Sequence, residues 1–435
     1  EAHGVRSIGG ACVCPRAELF LGEQREASGR SVSDGVRPAG GLTFLTCFAP
    51  QAATKGRCTV KAAVIFENGD VDCIRYEEVP DPVLAAGEVL LEVRAAALNH
   101  LDIWVRKGRP GMELPVPHIL GSDAAGIVIE VGENVGHVRP GDEVVINPGL
   151  SCGQCEFCRR GEQSECITFG IVGMNRRGTF AERVTVPASN VFVKPQRLTM
   201  VEAAALPLAY LTAWRMLLSR ARLQPGETVL IHGIGGGVAL AGLQLARLAG
   251  ARVLVTSSSD DKLARAREFG ADAGINYANN PCLGDAIRDL TGGRGVDVVF
   301  DTVGAATWSV NFKAVRRGGR IVHCGVTTGA ETTVNISQLY WNHIVVMGST
   351  MGSNEEFRQM LAAVTASRMC PLVDSVYPLN RVQEATQRME SGEQFGKIVL
   401  VPGGKPDSIK EERADSEVRS KMFVGTSAGE PTSAG

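Results

Sequence analysis

The sequence holds no uninterrupted apolar run approaching the ~20 residues that a helix needs to cross a bilayer, so no helical membrane span is expected. It also lacks a surplus of charge: 45 Lys and Arg stand against 47 Asp and Glu, a formal net charge of −2. That balance implies no polyanionic partner and gives no reason to expect nucleic acid. Residues 1–58 lack both the strand and the helix period, are rich in Gly, Arg, Ser and Ala, and read as an extension outside the fold. Their acidic residues argue against the other reading, an Arg- and Ser-containing organelle transit segment. Residues 403–435 are polar and are expected to be disordered. What remains of the 435 residues can bury a large core and is expected to hold two domains. The twelve cysteines are not spread as a disulfide framework would be, since four fall between Cys152 and Cys166. A metal site in a reducing, cytoplasmic compartment fits that pattern better.

The stretch Gly226 to Lys262 reads as strand, glycine turn, helix, strand and the start of a second helix. Thr228 to His232 is an apolar run suited to a buried parallel strand, Val238 to Leu248 is an apolar helix, and Ala251 to Thr256 is the second strand. In the turn between, glycines let the backbone approach a pyrophosphate, and the following helix N-terminus offers free N–H groups and a positive dipole. Gly233, Gly236, Gly237 and Val238 are the expected contacts there. The second strand runs into Thr256, Ser257, Ser258 and Ser259, where an NAD enzyme usually offers Asp or Glu to the ribose hydroxyls. With that carboxylate missing, Ser257, Ser258 and Lys262 would meet a 2′-phosphate favourably, so NADP(H) is expected and NAD(H) is the alternative. The serines equally suit capping of a helix starting near Asp260. Further strand candidates at Ala273 to Tyr277, Val296 to Asp301, Arg320 to Cys324 and Ile344 to Ser349, with helices between, complete a doubly wound sheet. Ligands of such sheets lie beyond the strand carboxyl ends, which makes Gly325 and Val326 candidate cofactor contacts.

Cys152, Cys155, Cys158 and Cys166 form C-x2-C-x2-C-x7-C. Four thiolates at these intervals can close around one tetrahedral zinc, and such a closed site has no open position for substrate. Before this lobe, short β-rich runs alternate with turn signals in an antiparallel, barrel-like pattern.

These features together resemble the medium-chain dehydrogenase/reductase family. The cysteine spacing is that of the structural zinc lobe of the zinc alcohol dehydrogenases. Gly233, Gly236 and Ala239, recurring every three residues, resemble the turn of the quinone oxidoreductase branch; VGENVGHVRPGDEVV resembles a catalytic-domain signature. Val60 to Val64 resembles the opening strand and Gly396 to Leu400 the closing one, with Lys397 expected among the cofactor contacts. The resemblance implies an α/β chain: a GroES-like β-barrel catalytic domain over 60–205 and 350–402, with the zinc lobe at 150–167, plus a Rossmann domain over 206–349. It also implies a homodimer, joined through the Rossmann sheet edges at Ile344 to Ser349, or a homotetramer. Zinc alcohol dehydrogenases place catalytic ligands where this chain has Asn99, Ser122 and a residue near Leu208. None is a usual zinc ligand. The Asn-x-x-Asp pattern of Asn99 and Asp102 instead resembles the zinc-free quinone oxidoreductases and enoyl reductases. Hydride transfer from NADPH to a quinone or α,β-unsaturated carbonyl is therefore expected, with Asn99 orienting carbonyl or nicotinamide, His100 relaying a proton and Asp102 fixing the helix or His100. Thr212 falls where the family places a residue against the nicotinamide, and equally suits helix packing. Two other readings stay open. One is a zinc-dependent alcohol dehydrogenase with atypical ligands such as His100, His118 and Asp123. The other is a cofactor-binding recognition protein, since some relatives resembling zeta-crystallin bind RNA.

Overall fold

The computed structural model describes residues 59–108 and 114–403; the expected extension and tail lie outside them. The first half is an antiparallel β structure made of β1 (Thr59–Ile65), β2 (Arg75–Pro80), β3 (Glu88–Ala97), β4 (His118–Ile119), β5 (Asp123–Val131) and β6 (Glu143–Ile146). A two-stranded ribbon, β7 (Gly149–Leu150) with β8 (Gly170–Ile171), brackets the cysteine loop, and β9 (Arg183–Pro187) and β10 (Val191–Val193) complete this half. Helix α1 (His100–Lys107) leaves the end of β3, and α2 (Glu156–Arg159) is a single turn inside the cysteine loop.

Helices α3 (Met200–Ala204) and α4 (Pro207–Trp214) lead, through a π-helical turn at Arg215–Arg220, into the second half. There, strands alternate with helices: β11 (Thr228–Ile231), α5 (Gly237–Leu248), β12 (Arg252–Ser257), α6 (Asp260–Glu268), β13 (Ala273–Asn276), α7 (Leu283–Asp289), β14 (Val296–Asp301), α8 (Ala305–Ala314), β15 (Val315–His323), α9 (Ile336–Trp341) and β16 (Val345–Gly348). The six strands are parallel in the order β13-β12-β11-β14-β15-β16, the doubly wound arrangement with its switch point beside β11. Side chains alternate across this sheet. Val229, Ile231, Val253 and Val255 enter a core shared with α4, α5 and the barrel residues Ala95, Ala97 and Ala125. Leu230, Leu254, Val299 and Ile321 enter the core on the opposite face.

The chain then returns through α10 (Asn354–Ser367), β17 (Val373–Pro378), α11 (Val382–Glu390) and β18 (Lys397–Val401). The main barrel sheet runs β10-β6-β5-β3-β18-β17, with β9 also on β3. Strand β3 is therefore flanked by β5 and by β18, which lies far downstream in the sequence. Ala97 stands opposite Asp123 on one side and Val399 on the other, and Leu98 N–H donates to the Ile398 carbonyl at 2.9 Å. This register delivers Asn99, Asp123 and Lys397 to one place.

Candidate active site

Asn99, Asp123 and Lys397 are buried, at 6%, 0% and 4% exposure. Lys397 Nζ donates to the Leu98 carbonyl (2.7 Å), Asn99 Oδ1 (2.6 Å) and Asp123 Oδ2 (2.9 Å). Asn99 Nδ2 donates to Asp123 Oδ2 at 2.9 Å, and Asp123 Oδ1 accepts from the backbone N–H of Leu208 at 2.8 Å. The three positions compared with zinc ligands thus behave differently from a ligand set. Asn99 is closed on Lys397 and Asp123, Ser122 donates to the Val172 carbonyl at 2.8 Å, and Leu208 offers its N–H to Asp123.

Asp102 lies in the first turn of α1. Its Oδ2 accepts from Asn99 N–H (2.7 Å) and its Oδ1 from Gly121 N–H (3.1 Å), which ties the helix start to the chain entering β5. Complete burial pushes the Asp102 carboxyl up to about 7, against the pull of those N–H groups and of Lys397. The far end of α1 is held by Asn68, whose amide donates to the Val105 and Arg106 carbonyls at 3.0 Å, and by buried Arg106 paired with Glu390 on α11 at 2.5 Å. His100 is exposed at the helix start, edge-on to Trp104 with ring centroids 5.0 Å apart. A Cβ placed on Gly325 would come 4.0 Å from the Trp104 ring, so α1 faces the loop after β15.

The glycine turn lies against Gly396 and the Lys397 stem. Gly235 has φ +121°, a conformation L side chains rarely adopt, and its carbonyl accepts from Gly396 N–H at 3.0 Å. Gly237 opens α5 behind the cap residue Gly236, and a Cβ there would lie 2.8 Å from Lys397 Cδ. The close approach of the Lys397 stem to the turn favours glycine there. His232, just ahead of the turn, is buried between Thr256 Oγ1 (3.0 Å) and Asn311 Oδ1 (2.9 Å), and burial holds its pKa below the usual imidazole range. At the end of β12, Ser257 Oγ accepts from Ser259 N–H (3.1 Å), while Ser259 caps α6 by accepting from Lys262 N–H (3.3 Å). Ser258 is exposed. Lys262 Nζ donates to the Gly392 carbonyl beside Gly235. Asp301 orders the next loop through the N–H groups of Val303 (2.7 Å) and Gly304 (3.3 Å) and the hydroxyl of Thr307 (2.7 Å). Val326 packs against Gly304 in that loop.

In the cysteine loop the four Sγ atoms all lie within 4.8 Å of one another, with the 152–158 pair at 3.9 Å and the 155–158 and 152–166 pairs at 3.5 Å. Thiolates ~2.3 Å from a central zinc would be separated by about 3.8 Å, so the cage fits a tetrahedral four-thiolate site. Among the described residues it is the only group of three or more His, Cys, Asp or Glu side chains arranged to hold a metal. The atypical set considered from sequence does not gather: His118 is buried against the Gly173 carbonyl at 2.9 Å, and Asp123 is engaged by Lys397.

Residues 85–196 match the alcohol dehydrogenase GroES-like domain, and residues 237–366 match the zinc-binding dehydrogenase domain. A zinc-type alcohol dehydrogenase-like protein of Schizosaccharomyces pombe is 35% identical over 332 residues, which are 74% of this chain and 93% of that one. The chain belongs to the medium-chain dehydrogenase/reductase family. It is an NAD(P)H-dependent oxidoreductase of that family. A crystal structure of an NAD-dependent alcohol dehydrogenase superposes with a TM-score of 0.75 at 42% identity, covering 79% of this chain and all of the other. A crotonyl-CoA carboxylase/reductase of Cereibacter sphaeroides is 32% identical over 353 residues, 74% of this chain and 82% of that protein.

Within this dehydrogenase/reductase the sequence-derived site residues fall into three places. Asn99, His100 and Asp102 share the start of α1. Gly233, Gly236, Gly237, Val238, Ser257, Ser258 and Lys262 lie at the turn, the end of β12 and the start of α6, and Gly325 and Val326 lie in the loop after β15. Thr212 is buried on α4, its hydroxyl donating to the Leu208 carbonyl at 2.7 Å. Two expected site residues turn their polar groups toward each other. Asn99 is expected from sequence to orient substrate or nicotinamide, yet its amide oxygen and nitrogen are turned inward to Lys397 and Asp123. Lys397 is expected on the cofactor; its stem borders the glycine turn, but its ammonium points into the catalytic domain. Sequence reasoning weighs Asp123 only as a metal ligand and misses its pairing with Lys397. The one available signal is a lysine opening the apolar run Ile398 to Val401, which marks a charge entering the core.

Proposed function

We propose that this chain reduces a quinone or an α,β-unsaturated carbonyl with NADPH, and that its zinc is structural only. The observation that carries the reading is the closed Asn99–Asp123–Lys397 cluster at the start of α1, where an internally bonded ammonium stands in place of a set of metal ligands. A catalytic metal supplies several kcal/mol of charge stabilisation to an alkoxide, whereas a conjugated acceptor spreads the incoming charge over its own π system. The nicotinamide cofactor, when bound, supplies the hydride. The glycine turn and the N-terminus of α5 hold its pyrophosphate. Ser258, the Ser257–Ser259 segment and Lys262 face its adenosine ribose. His100, exposed at the start of α1, hands a proton to the reduced acceptor, and Asp102 keeps that helix start in place. Cys152, Cys155, Cys158 and Cys166 hold one zinc that stabilises the lobe. The NAD-dependent name of the 42%-identical structure favours NAD(H) as a second reading of the cofactor. We further propose a homodimer joined along β16, the exposed edge of the Rossmann sheet.

Zinc per chain by elemental analysis, paired with NADPH and NADH oxidation in the presence of a quinone, an enone and a simple ketone, tests the reading. One zinc with NADPH-dependent reduction of quinone or enone supports it. Two zincs with ketone or alcohol turnover overturn it.

A further inference from the structure

We propose that Lys397 is the positioning residue of this active site, a fixed cation that orients the start of α1 toward the cofactor turn. The inference rests on the hydride-transfer reading above. An ammonium has three N–H donors, and here all three are engaged, at 2.6 to 2.9 Å, by the Leu98 carbonyl, Asn99 Oδ1 and Asp123 Oδ2. None remains for a cofactor phosphate or a substrate oxygen, so Lys397 acts through its neighbours.

Those neighbours belong to four segments. Leu98 and Asn99 join β3 to α1, and Asn99 immediately precedes His100. Asp123 opens β5, and its second oxygen holds the Leu208 N–H at the start of α4. The lysine stem packs against Gly237, and the preceding residue, Gly396, donates to Gly235 in the same turn. One side chain therefore spans from the phosphate turn of the Rossmann half to Asn99, the cap residue of α1. Asn99 cannot rotate its amide without breaking a bond to the ammonium or to Asp123, so the direction of the His100 backbone is set by the cluster. Stability does not explain such an arrangement, because buried ion pairs are commonly matched or exceeded by well-packed apolar residues. Orientation explains it, since a misplacement of about 1 Å between reacting groups costs about 100-fold in rate.

The test compares Lys397→Met, Asp123→Asn and the double variant with the wild type. Methionine keeps most of the stem beside Gly237 and removes the charge. Lys397→Met alone strands a buried carboxylate, so its melting temperature falls; the double variant removes both charges and recovers it. In the recovered double variant kcat with an enone or quinone is expected to stay down by about 10- to 100-fold. The NADPH dissociation constant, read from fluorescence, is expected to change by less than about threefold. Hydrogen exchange at residues 99–107 reports orientation without turnover: the double variant exchanges faster there and not in α5. A double variant with wild-type kcat and exchange overturns the proposal, as does an NADPH affinity that falls in parallel with kcat, which would return Lys397 to the cofactor. A wild type that binds NADPH and reduces none of the acceptors overturns the proposed function, while the exchange comparison still decides the role of Lys397.

Discussion

Asp102 carries the site's most legible pH dependence. Its folded pKa of about 7 lies above the ordinary carboxyl value of 3.8 because burial disfavours the charged form. Between those values the folded chain keeps a proton that the unfolded chain has lost. Stability from this group is thus full below about pH 4 and falls by about 1.4 kcal/mol per pH unit as pH rises toward 7. Asp102→Asn removes the titration. Denaturant unfolding at pH 5 and pH 7 should show the wild type losing about 2 kcal/mol relative to the variant across that interval; a constant difference would mean that Asp102 is ionised throughout. At the glycine turn, neighbouring residues should respond differently to the same change. Gly237→Ala forces its Cβ onto the anchored Lys397 stem and should cost about 1–3 kcal/mol. Gly236→Ala, with φ −73° and its nearest neighbour 3.8 Å away, should cost under about 1 kcal/mol. Equal unfolding midpoints for the two variants would contradict this packing. The glycine turn and the four cysteines are legible in the sequence because each is set by local spacing. The Asn99–Lys397 bond is not, because it joins residues 298 positions apart and depends on β18 settling beside β3.

At the scale of elements, the cysteine lobe is tied to the π-helical turn that follows α4. Arg215, nearly buried, binds Glu162 at 3.1 Å, Glu165 at 3.1 Å and Glu356 at 2.7 Å; the first two lie between Cys158 and Cys166. Zinc held by the lobe would therefore fix two of the three carboxylates on this guanidinium. Arg215→Met leaves the buried Glu356 with Ser219 and the Ser353 N–H but without a cation, and should destabilise the chain by about 3 kcal/mol with zinc content unchanged. Chelation should then lower the melting temperature of the wild type more than that of Arg215→Met, because only the wild type has the link to lose. Equal shifts would show the lobe to be energetically separate. Most boundaries in the Rossmann half are legible, since a buried apolar strand, a glycine turn and a capped helix are local patterns; Val296–Asp301 appears with the limits expected from sequence. The C-terminal return reads from sequence only as a closing strand. Helix α10 carries a readable capping signal in Ser353 and Glu356, but β17 gains its partner only from β18, which local periodicity cannot reveal.

For the whole molecule the decisive surface is the free edge of the six-stranded sheet. Among the described residues strand β16 pairs only with β15, and Val345 and Val346 on it are 49% and 38% exposed. Ile336, Tyr340 and Trp341 on the adjoining α9 are between 63% and 71% exposed. Natural sheets protect such an edge with charge, proline or cover, because unpaired strand groups flanked by apolar side chains recruit another strand. Here the edge has none of the first two along Val345–Gly348, and a formal charge of −2 for the whole chain does little to keep copies apart. A second copy, related by a two-fold axis, would supply the same strand and satisfy both edges at once. Sedimentation velocity should find the wild type as a dimer, and Val345→Lys, which places two like charges across the joint, should shift it to monomer at micromolar concentration. The cofactor turn lies at the carboxyl ends of β11 and β12, away from this edge in the sheet order, so the monomeric variant should keep its NADPH affinity within about twofold. A wild type that sediments as a monomer would leave the apolar edge without its proposed cover. A tetramer that Val345→Lys splits into dimers would keep β16 as one of two joints.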